Sequence, residues 1–383
     1  QPESSKKYSG FPKYNFIGGH NSKENIPVNE LIESISNGLI QEGNNLALYG
    51  HNNGPQGNLN LRNFLCNYLK DFVGMSINKD NILITSGSLQ ALDLVNSIFL
   101  EAGDTVLVEE ATYGGALTRL KSRGVKYKGV KLTSDGICPD NLEETVIELN
   151  KKNIFPKFLY TIPTVQNPTG TIMSEKTRNE ILRIAKKYNF LIFEDDCYAD
   201  LLWGCPRPPT LWELDDSNTR VIYCGSFSKS IAPALRVGYL VAESSILQQI
   251  LSLKTDAGSG ALEQMVVAEY AASHFDDHAE QLTSVLHEKA QVMAESIEEA
   301  FGDAASFDMP QGGIFMWLTF PEDVDTGVFG AEAARKGIQF NAGAGWSVDP
   351  EWGANKMRLC FGNPSADAIR EGVKELAEIM DLS

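Results

Sequence analysis

The chain has 383 residues, 33 lysines and arginines against 50 aspartates and glutamates, and a formal charge of −17. At 43% hydrophobic and 22% charged residues it has a globular make-up, and its length predicts two or three domains with a sizeable core. The acidic balance repels phosphate backbones and argues against a nucleic-acid partner, and no apolar run approaches the roughly 20 residues of a membrane-spanning helix.

The opening segment, QPESSKKYSGFPKYNF, has neither the apolar core of a signal peptide nor the arginine bias of a transit peptide, which points to a soluble cytoplasmic enzyme. From residue 81 onward short β-branched or aromatic runs recur: NILITSG (81–87), DTVLVEE (104–110), KFLYTIP (157–163), FLIFEDD (190–196), TRVIYCGS (219–226) and VGYLVAE (237–243). Helical patterns separate several of them. In SEKTRNEILRIAKKYN (174–189), Ile181, Leu182, Ala185 and Tyr188 form one apolar face, Ser174 suits the N-cap, and Lys186 and Lys187 suit the negative end. Nearly continuous apolar strands alternating with helices predict an α/β fold with its sheet covered on both faces.

Beyond residue 260 the rhythm changes. Residues 261–303 read as one long helix, GGIFMWLTF (312–320) and NKMRLCF (355–361) as strands, and 364–381 as a closing helix. The expected organisation is an N-terminal segment (1–35) packed with a small domain, a large domain (36–265), and a small C-terminal α+β domain (266–383). The cysteines at 66, 138, 197, 205, 224 and 360 are scattered without metal-like or disulfide-like spacing and read as reduced thiols. His274 and His278 in HFDDH are helix-spaced but lack the glutamate of HExxH, so they read as a solvated helix face and no metal is expected.

Ligands of open α/β sheets collect beyond the C-terminal ends of the strands. After NILIT comes Ser86-Gly87-Ser88-Leu89, a glycine turn entering a helix whose free backbone N–H groups suit an anion. Gln166-Asn167-Pro168-Thr169-Gly170 follows KFLYTIP, and Asp195, Asp196 and Tyr198 follow FLIFE. After TRVIYCG come Ser226, Phe227, Ser228 and Lys229, with Arg236 further on. Any one of these turns is ordinary capping chemistry. Together they put an anion cradle, carboxylates, a phenol and an amine at one sheet edge. That set suits a phosphorylated carbonyl cofactor held by a lysine: pyridoxal 5′-phosphate, PLP.

PTVQNPTG, EDDCY and SFSKSIAPALRVGY resemble the motifs of fold-type I PLP-dependent aminotransferases of class I/II. The branch they resemble contains 2-aminoadipate and kynurenine aminotransferases and the effector domains of MocR-type regulators. The likeness runs from IGGH near residue 17 to RLCFGNPS near residue 359. It implies a large domain with a mostly parallel seven-stranded sheet between helices, plus a smaller α+β domain. It also implies ping-pong transfer of an amino group from an L-amino acid to a 2-oxo acid, with glutamate and 2-oxoglutarate as one pair.

Residue by residue, the resemblance makes Lys229 the Schiff-base lysine and proton carrier, and Asp195 the partner of the pyridine nitrogen. Asp195 is preferred to Asp196 because Tyr198 then stands three residues on, as in the family motif. Tyr198 and Asn167 are expected at the cofactor's 3′-oxygen and Tyr113, in EEATYGG, on the ring face. Ser88, Leu89, Ser226, Ser228 and Arg236 are expected to hold the phosphate. Arg358 is the expected clamp for the substrate α-carboxylate, alongside Asn167, and Gly19 lines the entrance. No residue is assigned to a side-chain carboxylate of the substrate.

The stretch from Tyr49 to Gly57, followed by Leu61-Arg62, is longer than the family's YGxxxGxxxLR-like pattern. In the family that tyrosine reaches the phosphate of the neighbouring subunit, so Tyr49 is expected to complete a shared site in a homodimer, with His51 or Asn52 as alternatives for the same space. Three other functions compete. Ser226 to Lys229 also matches S-x-x-K of acyl-transfer enzymes, but Ser134-Asp135-Gly136 and Lys254-Thr255-Asp256 fail as the companion elements. A PLP lyase or decarboxylase on the same scaffold would break a different bond at Cα. A non-catalytic amino-acid sensor of the MocR type would keep the fold without the turnover.

Overall fold

The computed structural model describes residues 10–52, 54–217 and 219–381. Seven strands form the central sheet: β1 (Ile82–Thr85), β2 (Thr105–Glu109), β3 (Lys126–Val130), β4 (Phe158–Thr161), β5 (Leu191–Asp195), β6 (Val221–Ser226) and β7 (Gly238–Val241), in the order β1-β7-β6-β5-β4-β2-β3. Only β7 runs antiparallel to its neighbours. Six of these strands coincide with the apolar runs of the sequence. The seventh, β3, is an edge strand whose residues alternate between exposed and covered, so KYKGV carries no continuous apolar signal.

Successive strand residues point to opposite faces. Ile82, Leu107, Leu159, Ile192, Val221 and Val241 therefore enter one core cluster, while Leu83, Val108, Phe158, Phe193, Ile222 and Leu240 enter another. Helices cover both faces. Helix α1 (Val28–Glu42) precedes the sheet, α2 (Ser88–Phe99) follows β1, and α3 (Glu175–Tyr188) links β4 to β5. At α3 the Ser174 hydroxyl accepts from the Thr177 N–H, and Asn189 ends the helix in a left-handed conformation. Ile181, Leu182 and Ala185 are buried, as the periodicity requires.

A four-stranded antiparallel sheet orders Ser306–Phe307, Phe315–Thr319, Lys356–Cys360 and Asn341–Ala342 side by side. Strand Tyr14–Asn15 pairs in parallel with Ile338–Gln339, and Tyr14 and Phe16 join the same core as Ile314, Leu318 and Leu359. Helix α4 (Ala261–Phe301) spans both regions in one continuous rod. Its Val267, Tyr270 and Phe275 pack in the core of the seven-stranded sheet, and its Leu286, Met293 and Ile297 pack in that of the smaller one. The closing helix α5 (Ala366–Met380) lies against α4. Among the described residues, no helix is long and apolar enough to cross a membrane.

Candidate active site

The parallel strands end in Thr85, Glu109, Thr161, Asp195 and Ser226, and the loops beyond them open onto one cavity of about 460 Å³. Its walls include Ser88, Leu89, Tyr113, Asn167, Asp195, Tyr198, Ser226, Ser228, Lys229, Arg236, Arg358 and Gly19. Every site residue expected from the sequence is therefore in one place, with the exception of Tyr49. That residue is 93% exposed on the short turn Tyr49–Asn52 and does not line the cavity of its own chain. The side chains of His51 and Asn52, and all of Asn53, lie outside the described residues.

One end of the cavity is built for an anion. Helix α2 begins at Ser88 after Gly87, which offers no side-chain cap; the Gln90 N–H turns back to the Gly87 carbonyl at 3.1 Å, and the Ser88 and Leu89 N–H groups are left for an anion. The Ser226 hydroxyl donates to the Ser228 hydroxyl oxygen at 3.0 Å, and Arg236 Nη1 lies 3.4 Å from the same oxygen. Arg236 Nη2 is held by the Ser86 carbonyl at 3.0 Å. Two glycines make room. A Cβ on Gly87 would stand 2.2 Å from Arg236 Nη2, and one on Gly238 would stand 2.9 Å from the Gly87 backbone. Gly87 also has φ +84, which L side chains rarely adopt.

Asp195 and Asp196 part company at the end of β5. Asp195 faces the cavity and accepts from the Tyr160 hydroxyl at 2.6 Å through Oδ2, while among the described residues Oδ1 has no hydrogen-bond partner; the Cys197 thiol is a neighbour of the carboxyl. Burial pushes its carboxyl above the ordinary range. Asp196 turns away to an ion pair with Arg207 at 2.7 Å and accepts from Tyr223 at 3.0 Å. The Lys229 ammonium donates to the Gly19 carbonyl, and the Asn21 amide donates to the Lys229 carbonyl at 2.7 Å. Burial is the main cause that lowers the Lys229 pKa, and the charges of Arg358 and Arg236 act in the same direction.

Arg358 is 3% exposed. Its Nη1 donates to Asn167 Oδ1 at 2.7 Å, its Nη2 to the Ile17 carbonyl at 3.3 Å, and its guanidinium lies 3.7 Å from the Trp346 ring centroid. Asn167 Nδ2 donates to the Tyr198 hydroxyl at 3.3 Å, so Arg358, Asn167 and Tyr198 form one chain of bonds. Trp346 was missed by sequence reasoning. It sits in an AGAGW turn with no local chemical signal, and it reaches the site because Asn341–Ala342 pairs with the strand that carries Arg358. His20 also lines the cavity and was legible only as the residue after the IGG turn. Cys197 and Pro233 lie inside motifs already singled out, and geometry alone turns them inward.

His274 lies tilted and His278 edge-on against the Tyr270 ring, at ring distances of 5.6 and 5.9 Å. The six cysteines are free thiols, two of them fully buried.

The chain matches the family "Aminotransferase class I and II" over residues 14–376. An aromatic-amino-acid aminotransferase 1 from Thermococcus litoralis is 34% identical across 94% of this chain and 86% of its own length. An uncharacterised HTH-type transcriptional regulator of Bacillus subtilis is also 34% identical over 84% of this chain, and the chain spans 65% of that regulator's length. A kynurenine aminotransferase of Pyrococcus horikoshii, solved in complex with PMP, superposes with a TM-score of 0.91 at 31% identity, covering 97% of this chain and 91% of its own. An alpha-aminoadipate aminotransferase of Thermus thermophilus, complexed with N-(5′-phosphopyridoxyl)-L-leucine, gives 0.87 at 31% identity, with 96% and 92% covered. With its seven-stranded, mostly parallel sheet and its cavity at the strand ends, the chain belongs to the class I and II aminotransferases.

Proposed function

We propose that the protein is a PLP-dependent aminotransferase that passes the amino group of an L-amino acid to a 2-oxo acid, with glutamate and 2-oxoglutarate as one pair. The observation that carries this reading is the shared cavity: an anion cradle at one end, a buried carboxylate oxygen with no hydrogen-bond partner among the described residues and a half-buried lysine in the middle, and a guanidinium at the other. The residues fit the cofactor. The Gly87 turn admits Arg236 at a distance that a Cβ would close, leaving a cradle of Ser226, Ser228, Arg236 and helix N–H groups sized for a phosphate. Asp195 Oδ1 is the acceptor a protonated pyridine nitrogen requires. PLP, when bound, supplies a carbonyl that condenses with amines and a ring that accepts electron density from the substrate Cα.

The chain's own residues then divide the work. Asp195 keeps the ring nitrogen protonated, and that cation offsets the burial that raises the free carboxyl. Tyr198 and Asn167, already bonded to each other, hold the ring oxygen, and Tyr113 covers the ring face. Arg358 receives the substrate α-carboxylate through its planar fork, which fixes Cα beside Lys229. Lys229, with its pKa lowered by burial, has a neutral amine fraction that would take the proton from the substrate Cα.

The same reading includes a homodimer. Val28, Ile32, Leu39, Leu48 and Tyr49 are all large, apolar or aromatic, and exposed along one stretch. A second copy covering them would carry Tyr49 toward the neighbour's phosphate cradle. A second reading, a PLP-dependent amino-acid sensor, is favoured by the likeness to transcriptional regulators. One experiment separates them: the visible absorption of the purified holoprotein, followed as single amino acids are added. Loss of the cofactor band with release of a 2-oxo acid, restored by 2-oxoglutarate, is the result expected of an aminotransferase. A band that shifts without keto-acid release points to the sensor, and release of an amine or an eliminated fragment points to a decarboxylase or lyase.

A further inference from the structure

We propose that Glu109 is a positioning residue for Arg358, acting through Gln166 on one side of the guanidinium and through Thr112 on the other. Glu109 ends β2, is 0% exposed, and none of the ion pairs seen among the described residues involves it. Four donors converge on it: the Thr161 hydroxyl at 2.7 Å, the Ile162 N–H at 3.0 Å, Gln166 Nε2 at 2.7 Å and the Thr112 hydroxyl at 3.1 Å. A carboxylate buried in this way costs stability unless its acceptor capacity is filled, and here it is filled by the two segments that hold Arg358.

The first arm runs through Gln166. Its amide is shared between Glu109 and the Ala111 carbonyl at 2.8 Å, while its Oε1 accepts from the Thr169 N–H at 2.8 Å. Gln166 is thereby held at both ends of its amide, and the residue after it is Asn167, whose Oδ1 accepts from Arg358. The preceding residue, Val165, has φ 56, a strained setting for a β-branched side chain that persists only when its surroundings over-determine it. The second arm runs through Thr112. Its hydroxyl is fixed on Glu109, and its N–H donates to the Trp346 carbonyl at 2.9 Å. Ala111 bridges to Ser347, and the Val348 N–H donates to the Glu110 carbonyl at 2.8 Å. The turn that carries Trp346 is thus stitched to the end of β2, and Trp346 is the ring on which Arg358 rests. One carboxylate sets both the hydrogen-bond partner and the stacking partner of the guanidinium.

This rests on the proposed role of Arg358 as the carboxylate clamp, and the test separates the two. The holoenzyme is titrated by calorimetry with 3-phenylpropanoate, which has one carboxylate and no amino group. The variants are Glu109→Gln, Gln166→Met, Thr112→Val and, as the control for the clamp itself, Arg358→Lys. Glutamine at 109 points an NH2 group at donors and cannot accept all four bonds. Glu109→Gln and Gln166→Met are expected to weaken the probe by about ten-fold, the equivalent of one lost positioning bond. KM for amino acids should rise in parallel while kcat changes by less than about three-fold, since ground-state and transition-state binding are lost alike. The cofactor absorption should be unaltered. If these variants melt earlier but bind the probe as tightly as the parent, Glu109 is merely structural and the proposal is overturned. Should Glu109→Gln fail to fold, Gln166→Met and Thr112→Val decide the matter by the same readout. If Arg358→Lys binds the probe normally, the clamp reading fails first and takes this proposal with it.

Discussion

The Tyr160 hydroxyl donates a 2.6 Å hydrogen bond to Asp195 Oδ2, while among the described residues Oδ1 of the same buried carboxylate has no hydrogen-bond partner. Tyr160 and Asp195 stand near the ends of adjacent parallel strands, so the sheet itself aims the free oxygen into the cavity. Replacing Asp195 by asparagine keeps the shape but removes the charge that would hold a ring nitrogen protonated. The expected result is a loss of kcat of about 10²-fold or more with the fold intact. Tyr160→Phe removes only the orienting bond and should cost about ten-fold at most. Single-turnover kinetics with glutamate would check both.

Lys229 is the amine at the centre of the cavity. Lys229→Ala is expected to abolish turnover, at least about 10²-fold, while leaving a protein that still binds the cofactor through the anion cradle. Burial lowers the lysine pKa, and the neutral fraction of the amine grows as pH rises. The acid limb of the kcat profile should therefore lie below the ordinary lysine value. A limb at the ordinary lysine value would show that this burial is not felt in the working enzyme.

Gly87→Ala places a Cβ 2.2 Å from Arg236 Nη2 and forces an L side chain into a backbone of φ +84. Strain of about 1–3 kcal/mol is expected at such a position. The guanidinium must move, so the variant should release cofactor on dialysis faster than the parent. Arg236→Met should do the same without the strain. Equal cofactor retention in both variants would remove Arg236 from the cradle.

Stability should depend on pH through two buried glutamates. Burial raises Glu109 to about 7 and Glu194 to about 7, both above the free carboxylate value of 4.5. Between about 4.5 and 7 the folded chain therefore binds more protons at these sites than the unfolded chain does. The stabilising contribution is full below the unfolded pKa and is lost as pH rises through 7. His278, whose pKa is lowered by burial, opposes this just below its ordinary 6.5. The melting temperature is expected to fall between pH 5.5 and 8, and calorimetry of Glu109→Gln should show a shallower decline than the parent.

Tyr49 tests the shared site. Tyr49 is exposed in its own chain and does not line its own cavity. If it reaches a neighbour's phosphate, Tyr49→Phe should weaken cofactor binding about ten-fold through one lost bond to a charged group. Sedimentation should show a dimer for both proteins. A monomeric parent with full activity would exclude the arrangement.

Much of this was legible before any coordinates. Six core strands follow from β-branched runs because a strand buried on both faces must be apolar throughout, and α3 follows from its 3.6-residue periodicity and its Ser174 cap. The loops that carry Lys229, Asp195, Asn167 and Arg236 follow from the rule that strand ends gather function. The edge strand β3 was not legible, because one side of it meets solvent and its apolar pattern is broken.

The sequence by itself determined the class of fold and the chemistry of the strand-end loops, since these depend on local pattern, while the preference for Asp195 over Asp196 came from the resemblance to the family motif. Only the tertiary structure decided that Trp346 and the Ile17 carbonyl meet Arg358, that Glu109 gathers four donors, and that Tyr49 stands outside its own cavity. Those relations join segments separated by many residues. They are set by which strands pair and which faces pack, and no short window of sequence contains that information.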